Sequence, residues 1–200
     1  MCQNLVNKYN VAGPRYTRYP TGPYWNAETF SLHQWKQVLK QSFEESNTEE
    51  GISLYLHLPF CESLCTFCGC HKRITKRHEV ELPYIKAVLK EWQLYRELLG
   101  EKPKIKELHL GGGTPTFFSA ENLSFLITEL LRVSDLAKDY EFSFEGHPNN
   151  TTEAHLQALY DLGFRRVSFG VQDYNLKVQK AINRIQPFEN VKRATEMARK

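Results

Sequence analysis

Four short stretches alternate apolar residues with polar or small ones: ISLYLHL (52–58), KIKELHL (104–110), YEFSFEG (140–146) and RRVSFGVQ (165–172). Successive side chains of a strand point to opposite faces. One face of each stretch therefore carries Leu54, Leu56 and Leu58, then Leu108 and Leu110, then Phe142 and Phe144, then Val167, Phe169 and Val171. The other face carries Tyr55 and His57, then Glu107 and His109, then Ser143 and Glu145, then Ser168, Gly170 and Gln172. A parallel sheet covered by helices on both sides reads instead as continuous apolar runs. The pattern fits a barrel with helices outside and a polar interior, a fold whose chemistry sits on loops at the C-terminal ends of the strands.

The segments between the strands read as helices. Leu82 to Leu99 is amphipathic, and Ser119 is placed as the N-cap of a helix running through Leu131. Thr151 or Thr152 caps a helix containing Leu156, Leu159 and Leu162, with Gly163 as its C-cap. NVKRATEMARK (190–200) reads as helical to the last residue. Strands alternating with helices predict parallel β-α units. The expected fold class is α/β: a partial TIM-like (β/α) barrel of about four units over 51–200, preceded by an irregular N-terminal extension over 1–50. In that extension GPRYTRYPTGPYW (13–25) predicts an irregular stretch. Phe30, Trp35, Val38, Leu39 and Phe43 fall at helical spacing, and ESNTEEG (45–51) reads as a polar break. Four units do not close a barrel, and the last helix has no stop signal. The expectation is that this is the front portion of a longer protein.

Composition excludes some classes. With 26 basic and 23 acidic residues the net charge is +3, too small a bias for a nucleic-acid binder. No run of 18 apolar residues suits a membrane span, and the proline- and aromatic-rich start does not suit a secretory signal. Four of the five cysteines lie within ten residues, Cys61 to Cys70. They are too close to staple distant segments, which argues for metal or redox chemistry in a reducing compartment, hence the cytosol.

The cysteines read C-x3-C-x2-C-x-C. Structural zinc sites use paired cysteines with a longer spacer between the pairs. Three thiolates on one loop can wrap a [4Fe–4S] cube and leave its fourth iron open to a ligand. Zinc remains the alternative on spacing. GGGTP (111–115) follows the second strand and has neither a P-loop lysine nor the G-x-G-x-x-G spacing. Its glycines let a ligand approach bare backbone; a tight strand-to-helix turn is the other reading. A buried carboxylate at Glu145 needs a partner, which a cofactor ammonium or ribose, Arg165 or Arg166 would supply. Arg184 is a candidate partner for a cofactor carboxylate, or else an exposed helix arginine. The basic run HKRITKRH (71–78) reads as a solvated face that can also attract a substrate with several carboxylates.

Cys61-x3-Cys65-x2-Cys68, with Phe67 before the third cysteine, resembles the radical S-adenosylmethionine superfamily. RYTRYP, YLHLPFCESLCTFCGC, HLGGGTPT, SFEGHPNN and RRVSFGVQDYNLKVQKAINR together resemble the oxygen-independent coproporphyrinogen III oxidase family. That resemblance implies cluster ligands at Cys61, Cys65 and Cys68, with Cys70 not a ligand. It implies a first S-adenosylmethionine at Tyr55, Gly112 and Glu145, with Tyr55 and Glu145 as the catalytic pair. It also implies a second S-adenosylmethionine at Phe67, Gly113, Thr114, Gln172 and Arg184. The implied activity is oxidative decarboxylation of two propionates of a porphyrinogen in haem biosynthesis. That activity needs an electron donor for the cluster and is expected of a monomer without nucleic-acid or membrane partners. Gly146 and His147 depart from the family's usual residues after Glu145. The alternatives are a paralogue that modifies haem or porphyrin, a haem chaperone, and a zinc-binding interaction module.

Overall fold

The computed structural model describes residues 2–10 and 24–200, which divide into two compact units at Leu39/Lys40. Most of GPRYTRYPTGPYW lies outside the described residues. Helix α1 (Cys2–Tyr9) belongs to the first unit, and α2 (Leu32–Asn47) contains the point of division. The helix at Phe30–Phe43 thus forms, but it runs past the expected break at Glu45. Asn47 explains the extension. Buried at the helix end, its side chain accepts from the Lys104 N–H (2.7 Å) and donates to the Lys102 carbonyl (3.2 Å). A polar residue that reads as loop in sequence here ties the helix to a strand.

The second unit is built on a parallel sheet of β1 (Ile52–Leu58), β4 (Lys104–Gly112), β5 (Asp135–Gly146) and β6 (Phe164–Phe169), in that spatial order. The long strands lie side by side in chain order, as in a barrel wall, with none of the reversal that marks a doubly wound sheet. A separate two-residue parallel pair, β2 (Phe60–Cys61) with β3 (Arg73–Ile74), closes the base of the cysteine loop. The core forms on the face the alternation marks as apolar. Leu58, Ile105, Leu108, Leu110, Phe142, Phe144 and Phe164 pack against Ile85 and Trp92 of α3 (Glu81–Leu99), Leu123, Leu126, Ile127 and Leu130 of α4 (Ala120–Arg132), and Leu159 of α5 (Glu153–Asp161). The opposite face carries Ser53, Tyr55, Glu107, Glu145 and Arg166, all exposed.

Local signals hold at the helix starts. Ser119 Oγ accepts from the Asn122 N–H, and Thr152 makes a reciprocal capping box with His155. α5 ends one turn position earlier than expected, with Leu162 as C-cap and Gly163 following at φ +97. β5 starts at Asp135, upstream of YEFSFEG, and an irregularity in its pairing with β4 between Ile105 and Glu107 absorbs residues that break the alternation. β6 ends at Phe169, so Gln172 does not stand on the strand as expected; its φ of +66 turns the chain away from the sheet. A short helix α6 (Leu176–Ala181) that the periodicity does not announce precedes α7 (Phe188–Ala198), which stops two residues short of the end.

Asn47→Ala leaves a buried N–H and carbonyl without their partner. It is expected to lower stability by about 1–3 kcal/mol, seen as a lower urea midpoint with unchanged far-UV circular dichroism.

Candidate active site

The ends of β1 and β4 are laced together. The Gly113 N–H donates to the Leu58 carbonyl (2.9 Å) and the Thr114 N–H to the Phe60 carbonyl (3.0 Å). A Cβ at Gly113 would lie 2.5 Å from the Pro59 oxygen, so only glycine allows this approach. Gly112 adopts φ +118, which side-chain-bearing residues rarely reach. From this junction the cysteine loop departs and returns, tied at its base by Arg73 N–H to Pro59 O (2.8 Å) and Thr75 N–H to Cys61 O (2.9 Å). Its tip is held from the opposite side. Thr66 N–H donates to Ile182 O (3.1 Å), and Asn183 Nδ2 donates to Leu64 O (2.8 Å). Lys72 Nζ donates to the Cys68 carbonyl (2.8 Å) from within the loop.

These anchors frame a cavity of about 850 Å³ at the C-terminal ends of the strands. Cys61, Cys65, Phe67 and Cys68 line it from the loop; Gly112, Gly113 and Thr114 from the turn after β4; and Glu145, Gln172 and Arg184 from the far side. Cys70 also borders it, but it is exposed where Cys61, Cys65 and Cys68 are half-buried. Of the residues that the resemblance assigns to the cluster and S-adenosylmethionine, Tyr55 alone does not line the cavity. It lies on the polar face of β1, its hydroxyl 3.1 Å from His57 Nδ1 and its ring stacked on His109. His57 Nε2 lies 2.7 Å from the His71 carbonyl, so the proton sits on Nε2, and Nδ1 accepts from Tyr55. His109 in turn lies 2.8 Å from Ser143 Oγ and 3.9 Å from Glu145 Oε1. Burial and then the Glu145 charge push the Tyr55 phenol above its ordinary value.

Neither arginine proposed for Glu145 reaches it. Arg166 pairs with Glu141, and Arg165 lies over the Tyr160 ring and donates to the Tyr160 and Phe164 carbonyls. Both sit at the start of β6, at the opposite end of the strand from the cavity. Arg184 is not an exposed helix arginine. It is half-buried in the turn between α6 and α7, donating through Nη2 to the Gly170 carbonyl (2.7 Å) and through Nε to Gln186 Oε1 (3.2 Å). The basic run divides: Lys72, Lys76 and His78 border the cavity, while Arg73 is exposed and Arg77 pairs with Glu79 at the surface.

Sequence reasoning missed one residue of this wall and one buried behind it. His147 borders the cavity with Nδ1 accepting from the Asn149 N–H (3.2 Å). Burial, then the Arg184 charge, push its imidazole down to about 4. Glu81 is buried at the start of α3. It accepts from Ser119 N–H (2.9 Å) and Asn122 Nδ2 (2.7 Å) and pairs with His78 Nδ1 (2.6 Å), whose ring stacks on Phe117. The only sequence signal for His147 was its departure from the resembled family; for Glu81 there was none.

The thiols suit an iron–sulfur cube. Burial, together with the neighbouring Cys68 and Cys65, pushes the Cys61 thiol up, against a lowering contact from Thr114 Oγ1 at 3.3 Å. Cys65 and Cys68 thus lie near enough to act on the Cys61 thiol, whose proton iron would displace on binding. Among the described residues no three His, Cys, Asp or Glu side chains converge on one metal-ion position. A cube does not require such convergence, since its thiolates bind different irons.

The sequence model of the radical SAM superfamily matches residues 55–200, and the chain belongs to that superfamily. A [4Fe–4S] cluster and S-adenosylmethionine are the cofactors that membership implies. Among individual proteins, the chain is 41% identical over 196 residues to the oxygen-independent coproporphyrinogen III oxidase of Helicobacter pylori (strain 26695), covering 96% of this chain and 42% of the relative. It is 39% identical to the oxidase of the same name from Synechocystis, over 92% of this chain and 38% of the relative. A solved structure of coproporphyrinogen III oxidase from Escherichia coli, described as a radical SAM enzyme, superposes with a TM-score of 0.81 at 33% identity. It covers 98% of this chain and 42% of that one. The chain thus spans about two fifths of the length of the relatives it matches. No helix among the described residues is long and apolar enough to cross a membrane.

At neutral pH His147 is uncharged in the folded chain and mostly uncharged in the unfolded one. Below its ordinary 6.5 the unfolded chain takes up a proton that the folded one refuses until about 4. Stability therefore falls as pH drops through that window, by about 3 kcal/mol for this group. His147→Asn is expected to flatten that part of the curve, as measured by urea unfolding of both proteins across the window.

Proposed function

We propose that residues 51–200 are the first part of the catalytic barrel of an oxygen-independent coproporphyrinogen III oxidase. Residues 1–50 are its N-terminal extension, and the remaining strands and a C-terminal domain belong to the rest of a longer protein. The observation that supports this best is the convergence of three half-buried thiols, the glycine turn and Arg184 on one cavity, in a chain that aligns almost end to end with oxidases of that name.

In this reading Cys61, Cys65 and Cys68 hold the cluster. Tyr55, Gly112 and Glu145 bind and orient one S-adenosylmethionine, Glu145 through an exposed carboxylate suited to an ammonium. Phe67, Gly113, Thr114, Gln172 and Arg184 bind a second, with Arg184 offering a fixed cation to its carboxylate. When bound, the cluster and S-adenosylmethionine would supply a 5′-deoxyadenosyl radical able to take a hydrogen atom from the β-carbon of a propionate, with carbon dioxide leaving and the released electron passing to a separate one-electron acceptor so that a vinyl group remains. Tyr55 is held in place by its hydrogen bond to His57 and its stacking on His109. Lys72 and Lys76 set a positive field at the cavity that favours entry of a substrate bearing several carboxylates. The protein works as a cytoplasmic monomer that takes electrons from a separate donor.

The test uses the full-length protein reconstituted anaerobically with iron and sulfide, then given S-adenosylmethionine, reductant and coproporphyrinogen III. Carbon dioxide release without oxygen is the expected result. Cleavage of S-adenosylmethionine with the propionates left intact would point to a paralogous haem- or porphyrin-modifying enzyme. Failure to bind a cluster with all three cysteines intact would overturn the assignment. Serine at Cys61, Cys65 or Cys68 is expected to lower bound iron and cut activity by more than the about 10–100-fold that losing an outer-shell partner costs. Cys70→Ser is expected to retain iron and sulfide in full, as measured by metal analysis.

A further inference from the structure

Two buried glutamines stand behind the Arg184 wall of the cavity. Gln186 is 1% exposed and Gln179 4% exposed. A buried amide is costly unless its donors and acceptors are used, and these are. Gln186 Nε2 donates to the Gly170 and Val171 carbonyls (3.1 Å each), and its Oε1 accepts from Arg184 Nε (3.2 Å). Gln179 Oε1 accepts from the Gln186 N–H (2.9 Å). Gln179 Nε2 donates to the Asp173 carbonyl (2.8 Å) and the Gln186 carbonyl (3.0 Å). The pair thereby clamps the segment after β6, helix α6 and the turn at 184–186 into one piece.

The clamp dictates where the guanidinium points. Nε is held by Gln186 and Nη2 by the Gly170 carbonyl. A planar fork fixed at two donors cannot rotate, and its remaining edge brings Nη1 to 3.9 Å from Cys65 Sγ. The sulfur is held from its own side by the contacts of Thr66 with Ile182 and of Leu64 with Asn183. The separation is therefore set by hydrogen-bonded anchors on both partners rather than by a free side chain. A cationic N–H donor at a cluster sulfur favours the more negative, reduced cluster, and hydrogen bonds to the sulfurs are among the terms that set cluster potentials.

We propose that Gln186, braced by Gln179, is a positioning residue that holds the Arg184 guanidinium against the Cys65 sulfur and so raises the reduction potential of the cluster held by Cys61, Cys65 and Cys68. The inference rests on the cluster assignment made above. It assigns the buried pair to the electron-accepting step rather than to substrate binding.

The test is a redox titration of the full-length, anaerobically reconstituted protein, followed by the paramagnetic resonance signal of the reduced cluster and made without S-adenosylmethionine. Gln186→Leu and Arg184→Met are each expected to shift the midpoint to more negative potential by similar amounts. The double variant should shift no further than either alone, because Gln186 acts through Arg184. A purely structural role would lower the melting temperature and leave the potential in place. A Gln186→Leu protein with a full cluster and the wild-type potential overturns the proposal, as does a double variant whose shift is the sum of the two. Should Gln186→Leu not fold, Gln179→Met removes the brace alone and must move the potential in the same direction; an unchanged potential there, or in Arg184→Met, is equally fatal. A wild-type protein that takes up no cluster overturns the functional reading along with this one, whereas a filled cluster with unmoved potentials overturns this one only.

Discussion

The close approach of two backbones at Gly113 underlies the rest of the site. With no Cβ there, the turn after β4 hydrogen-bonds to the chain leaving β1, and the carbonyls of Leu58 and Phe60 are satisfied by Gly113 and Thr114. The cysteine loop is therefore launched from the same junction that presents the glycine turn, and Cys61 Sγ ends 3.3 Å from Thr114 Oγ1. Thiol and turn form one rigid unit because the ladder joining them is main chain, whose donors and acceptors are costly to leave unpaired.

A loop fixed only at its base would leave its tip to wander. Here the tip bears on residues 182–183, so that the second cysteine is located by a segment more than a hundred residues further along the chain. That segment is in turn stiffened by buried amides rather than by apolar packing. The same device recurs on the other flank. Glu81 caps the approach of α4 and holds His78, and His155 closes the start of α5 while its Nε2 lies 2.8 Å from the Phe118 carbonyl. Buried polar groups with full partnerships give directional contacts that fix geometry. A cavity wall made of such contacts holds its shape before any ligand arrives.

Much of the scaffold was legible because its signals are local. Alternation marked which face of β1, β4, β5 and β6 would be buried, and Ser119 and Thr152 announced their helices through bonds spanning three residues. The cysteine spacing singled out a loop that borders the cavity. The failures share a different character. Asn47 reads as a break until its side chain meets Lys102 and Lys104. Gln172 reads as a continuation of β6 until a left-handed turn removes it from the strand. Arg165 and Arg166 read as charge partners for Glu145, yet they sit at the far end of β6.

By itself, then, the sequence determined the class of fold, the buried face of the sheet and the loops that border the cavity. Each of these follows from periodicity or from contacts within a few residues. Only the tertiary structure decided that His147 would sit beside Arg184, that Tyr55 would lie off the cavity wall, and that two glutamines would aim a guanidinium at Cys65. Those outcomes depend on pairings between residues far apart in the chain, whose free energies come from shared burial and mutual hydrogen bonding. No window of sequence contains both partners, so no local pattern encodes them.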